Sequence, residues 1–128
     1  MDATPPVYEL HHCSFPVRDL QRSADFYVGL LGLSILPRPE MGVPGLWLAA
    51  GGGQIHLIEC SADGDDVGTP PATINPRGRH TALSVRDLAA VVAALETAGV
   101  EVVRRRPTAT QAWAKDPDGH IIKFIASV

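Results

Sequence analysis

At 128 residues, with 45% apolar and 20% charged content, the chain suits one soluble globular domain whose core needs no disulfide or metal staple. Its formal net charge of -3 argues against a general affinity for nucleic acid or for anionic membranes. No apolar run approaches the ~18 residues of a membrane span, and "MDATPPVYEL" has no charged-then-apolar leader. A small-molecule partner and a cytoplasmic location are therefore expected.

In chain order, "HHCSFPV" reads as a first strand, with His12, Ser14 and Pro16 on one face and Cys13 on the other. Asp19 then stands where a helix N-cap is wanted. "LQRSADFYVGLLGL" follows at helical spacing, and Gly32 stops it in the place of a left-handed C′ residue. "LSILPR", "GLWLAA" and "QIHLIEC" read as three more strands, the last two joined at Gly51-Gly52-Gly53. Residues 61–79, rich in Gly, Pro and Asp, form a linker long enough to suggest a functional cover or a flexible join.

From His80 the pattern starts again. "HTALSVRDL" repeats "HCSFPVRDL" at an offset of 68, and Asp87 and Gly99 bracket a second helix. The glycine stops are only 67 apart, so the second unit is one residue shorter by that point. "VEVVRR", "TQAWAKD" and "HIIKFIA" then read as strands, with "PDG" turning between the last two. The chain divides into a module of about 7–60, the linker 61–79 and a module of about 80–128, each β-α-β-β-β. Arg104-Arg105-Arg106 reads as a solvated strand end, with an anionic contact as the minority reading. Cys13 and Cys60 are not expected to pair, which suits a reducing compartment.

Carrying the 67 offset forward pairs His56 with Lys123. If the modules pack as quasi-equivalent halves, His12, His56, His80 and Lys123 can converge on one cleft, with Gln54 on the face of His56. Neutral imidazoles on rigid strands are the makings of a divalent transition-metal site. Trp47, Trp113 and Phe124 could wall such a cleft, although core packing is their commoner use. His11 is expected on the opposite face from His12, and His120 in a turn, with no role in the site.

The repeat, "DLQRSADFYVGLLGL", "GRHTALSV" and "DPDGHIIKFI" resemble the vicinal oxygen chelate superfamily over nearly the whole chain. That superfamily includes glyoxalase I, bleomycin- and fosfomycin-resistance proteins, methylmalonyl-CoA epimerase and extradiol dioxygenases. The resemblance implies an α+β fold, two paired βαβββ modules forming an open curved mixed sheet around a metal cleft. It maps metal ligands onto His12, His56 and His80, with His56 where glyoxalase I has a glutamate. The fourth position, also a glutamate there, is Lys123, whose ammonium has no lone pair to give. Pro16 falls where glyoxalase I has a glutathione-binding arginine. Both departures argue against glutathione-dependent glyoxalase activity.

Two functions follow from the resemblance. One is a metal-dependent isomerase, lyase or dioxygenase using Zn, Ni, Fe, Mn or Co, with Lys123 holding an anionic substrate or exchanging a proton. Gln54, Trp47 and Trp113 would contact substrate. The alternative is a metal-free binding protein of the bleomycin-resistance type. A homodimer is expected in either case.

Overall fold

The computed structural model describes residues 4–60, 66–104 and 110–127. The first unit runs β1 (His12–Val17), α1 (Leu20–Ala24) continuing as a π-helical segment (Asp25–Leu30), β2 (Ile35–Leu36), β3 (Gly45–Ala50) and β4 (Gly53–Glu59). The second runs β5 (Thr81–Val85), α2 (Leu88–Thr97), β6 (Val102–Val103), β7 (Gln111–Lys115) and β8 (Ile121–Ala126). Each unit makes a mixed four-stranded sheet, ordered β1-β4-β3-β2 and β5-β8-β7-β6. In both, the first strand lies parallel to the last and the rest pair antiparallel. The expected α+β architecture is present, with β2 and β6 reduced to two residues each.

The helices start and stop as the sequence indicates. Asp19 and Asp87 accept from the backbone N–H groups of Arg22 and Ala90 at 3.1 and 3.0 Å. Gly32 and Gly99 take φ of 77° and 79°, a conformation that costs any residue with a Cβ. The extra residue of the first unit is absorbed in the π-helical turn, where Leu31 N–H reaches back five residues to the Phe26 carbonyl at 2.9 Å.

Alternation along the strands sets one face of each sheet against the helices. Phe15, Val17, Leu48, Ile55 and Leu57 of the first sheet join Ala114, Ile122 and Phe124 of the second in one buried cluster with Phe26, Tyr27 and Leu95. Cys13 packs against that cluster, and Cys13 and Cys60 are separate free thiols. No helix among the described residues is long and apolar enough to cross a membrane.

A polar clamp joins the units. The β7–β8 turn buries Asp116 and Asp118, each 4% exposed, against α1 and its π-helical continuation. Asp118 accepts from Arg22 Nη2 at 3.0 Å, with Ser23 Oγ at 3.4 Å and Arg18 N–H at 3.3 Å. Tyr27 donates its hydroxyl to Asp116 Oδ2 at 2.6 Å, and Asp116 Oδ1 accepts from the N–H groups of Asp118 and His120. His120 stacks on Phe15 and donates from Nε2 to the Pro16 carbonyl at 2.8 Å. Its turn position therefore serves the joint between units.

Burial raises the Asp116 pKa above its ordinary 3.8, with the Tyr27 hydrogen bond pulling the other way. A raised folded pKa gives stability that is complete below the unfolded value and is lost as pH rises through the folded one. Tyr27→Phe removes one of the bonds holding the carboxylate form and so raises the folded pKa further. Urea unfolding at pH 7 should show a loss of about 1–3 kcal/mol, from the buried Asp116 Oδ2 left without its donor. The loss should shrink toward pH 4, as the raised pKa lets the carboxyl begin to take up its proton. An equal loss at both pH values would refute this.

Candidate functional site

The face of each sheet turned away from the helices carries the polar side chains. On the first sheet His56 is in register with Ser14 of β1 and Trp47 of β3, and His12 with Gln54. Cross-strand partners share a face, so the rings of Trp47, His56 and His12 line up across three strands. Trp47 and His56 stack at 4.6 Å, and His56 and His12 at 3.9 Å, with planes 10° and 11° apart.

Sandwiched in this row, His56 is only 7% exposed. Burial lowers its pKa from 6.5, helped by the neighbouring His12, His11 and Arg38. It is therefore neutral at pH 7. Gln54 Oε1 accepts from its Nε2–H at 2.7 Å, which leaves the lone pair on Nδ1. Gln54 thus orients the imidazole.

His11 corrects the expectation that it faces away. It precedes β1, so strand alternation does not bind it. Its Nδ1 lies 2.7 Å from Nδ1 of His12, and its ring meets those of His12 and His56 edge-on at 5.0 and 6.3 Å. Only an ordered pair of neighbouring imidazole nitrogens, one donating and one accepting, makes that contact favourable.

The second sheet carries the other two residues singled out by the repeat. Lys123, in register with Trp113, sets its Nζ 5.3 Å from the indole centroid. The lysine in "HIIKFI" is thus tolerated because it faces the open side of its sheet and lies over an aromatic ring. His80 immediately precedes β5 and donates Nδ1–H to the Gly78 carbonyl at 2.9 Å, leaving Nε2 free to ligate. It lines a cavity of about 690 Å³ with Ser14, Asp66, Thr73, Asn75 and Arg79.

The described part of the linker roofs that cavity. Lys115 Nζ donates to the carbonyls of Pro71 and Ala72 at 2.6 and 3.3 Å, and Arg18 to that of Gly68 at 2.8 Å. Ile74 packs on Trp113 and Ile121, and Pro70 lies against Gly119, whose φ is 91°. Asp63 and Asp65 of the linker lie outside the described residues, as do Arg105 and Arg106. Arg104 pairs with Glu96 at 3.0 Å, as a solvated strand end would. Phe124 faces the helices in the core.

The fold thus joins His12 with His56 on one face and leaves His80 and Lys123 on the other sheet. Among the described residues, no three His, Cys, Asp or Glu side chains of one chain are arranged to hold a metal. Singly, the histidines have the right chemistry: His56 is neutral, and His80 has its second nitrogen tied back.

Residues 9–124 match the model of the Glyoxalase/Bleomycin resistance protein/Dioxygenase superfamily. The chain belongs to that superfamily. A curated Arabidopsis thaliana protein named "Glyoxylase I 4" is 31% identical over 131 residues, covering 96% of this chain and 74% of that protein. A Pseudomonas aeruginosa lactoylglutathione lyase is 29% identical, covering 97% and 85%. Among solved structures, TnmS3, an antibiotic binding protein from Streptomyces sp. CB03234, superposes with a TM-score of 0.68 at 26% identity. That match covers 98% of this chain and 100% of the other. The superfamily's relatives thus include proteins named as enzymes and one named for binding alone.

Proposed function

We propose that this superfamily member is a divalent-metal-dependent enzyme of isomerase, lyase or dioxygenase class, acting on a small, oxygen-bearing anion. Its ion is held by His12, His56 and His80. The observation that carries this reading is the neutral, oriented His56 stacked on His12, two imidazoles presented side by side on neighbouring strands. Because His80 lies on the other sheet, the three meet when the first sheet of one copy faces the second sheet of another. When bound, the ion would polarise a substrate oxygen. Lys123, standing off Trp113, binds the substrate's negative charge, and Gln54, Trp47 and Trp113 bound the cleft.

A second reading, a metal-free ligand-binding protein, is favoured by one specific observation. Lys123 brings a positive charge to the position that would otherwise hold a fourth, anionic ligand, and a cation there repels a dication. The aromatic row would then serve as a binding platform.

Calorimetry of tag-free protein with Zn, Ni, Fe, Mn and Co separates the two. His12→Ala, His56→Ala and His80→Ala should each cut metal affinity strongly while the fold persists by circular dichroism. Absence of binding by all five ions transfers the assignment to the metal-free reading. Lys123→Glu should raise metal affinity by about tenfold or more, equal to about 1.4 kcal/mol, by supplying an anionic ligand. Unchanged affinity would mean that Lys123 does not face the histidines. Sedimentation should show a dimer at micromolar concentration. A mixed dimer of His12→Ala and His80→Ala chains should regain one intact site, and no recovery would argue for sites within single chains.

A further inference from the structure

Arg38 follows β2 between Pro37 and Pro39, whose fixed φ values stiffen the backbone that presents it. Its guanidinium lies over Gly45, two residues from Trp47 and on the same face of β3. Cζ and Nη2 come to 2.9 and 2.8 Å of the point where a Cβ at Gly45 would stand. A Cβ there would also meet the Leu57 carbonyl oxygen at 2.6 Å, so glycine at this position leaves room for both the guanidinium and the β4 backbone. Arg38 is therefore seated on the open face, beside the row of rings and close enough to His56 to act on its charge.

The seat leaves most of the guanidinium unused. Nη2 donates to the Val43 carbonyl at 3.0 Å, while Nε is buried with no partner. The ion pairs among the described residues belong to Arg18, Arg22 and Arg104, and none reaches Arg38. Glu40, the nearest acid in sequence, instead accepts from the Gly42 N–H at 3.0 Å. The buried Nε is out of an anion's reach, whereas Nη1 makes no hydrogen bond among the described residues, so an anion would meet the half-buried guanidinium at its Nη end.

We infer that Arg38 is the anion-recognition residue of the first sheet, taking a carboxylate or phosphate group of the ligand beside the Trp47–His56–His12 row. The planar fork of an arginine suits an oxyanion that offers two oxygens, which an ammonium such as that of Lys123 cannot match in geometry. This deepens the proposed function and rests on it for one premise, that the ligand is a small anion. Arg38 and Lys123, on different sheets, then contact different parts of the ligand or its two ends.

The test uses the full chain, treated with EDTA, titrated separately with inorganic phosphate and with acetate, and observed through the nitrogen-15 signals of arginine Nε–H groups. At least one anion should shift the Arg38 Nε–H signal saturably. Arg38→Gln should weaken that anion by about tenfold or more, and Arg38→Lys, which keeps charge but loses the fork, by less. Tighter phosphate binding would identify a phosphorylated ligand, and tighter acetate binding a carboxylate. A signal unmoved by either anion overturns the inference, as does wild-type affinity in Arg38→Gln. If Arg38→Gln fails to fold, wild-type affinity in Arg38→Lys for both anions overturns the bidentate contact. Because metal is stripped and the chelator is then dialysed away before titration, neither an ion nor the carboxylates of EDTA enter the outcome. Anion binding with no metal binding would sink only the metal reading, and the converse only the role of Arg38.

Discussion

Two buried carboxylates on one turn decide how this molecule is put together. Burying an acid is costly unless its charge is met and its lone pairs are used. Asp118 meets Arg22, Arg18 and Ser23 from the other unit, and Asp116 meets Tyr27. Each acid is satisfied only while the β7–β8 turn sits against α1 and the π-helical segment. The same turn places His120 on Phe15 and on the Pro16 carbonyl at the edge of β1. The clamp thus sets the two sheets relative to each other, and with them the directions in which their open faces point.

Those faces share an electrostatic character. The first carries three imidazoles and a guanidinium, the second an ammonium over an indole. Among the described residues no carboxylate pairs with Arg38 or Lys123. In a chain whose net charge is negative, these positive groups without carboxylate partners make each open face locally electropositive. The linker adds a second constraint. Held by Lys115 and Arg18 and packed through Ile74, it covers part of the second sheet's open face and closes one side of the cavity beside His80.

The repeat is closer in three dimensions than in sequence. A constant offset of 67 pairs His56 with Lys123 but sets Trp47 against Ala114. Strand register tells a different story, since Trp47 lies opposite His56 and Trp113 opposite Lys123. The second unit has a longer β7–β8 turn, and the residue gained there restores the pairing. In both units a tryptophan therefore flanks the central position, which holds an imidazole in one and an ammonium in the other. The local surroundings are alike while the chemistry differs.

Most of the fold is legible in the chain itself. Helix limits follow from Asp19, Asp87, Gly32 and Gly99, because caps and left-handed stops are local effects of one residue on its neighbours. Strand faces follow from alternation, so Cys13, Phe15 and Val17 point inward without any knowledge of their partners. His12, His56, His80 and Lys123 stand out because the chain is written twice. Other features needed the tertiary structure. His11 escapes alternation by lying just outside β1, and Arg38 gains its position only because Gly45, seven residues on, leaves room for it. Asp116 and Asp118 read as turn residues, and their burial depends on an arginine and a tyrosine about 90 residues earlier. Which histidines meet is likewise not written locally. It depends on how two sheets face each other, and long-range packing alone decides that.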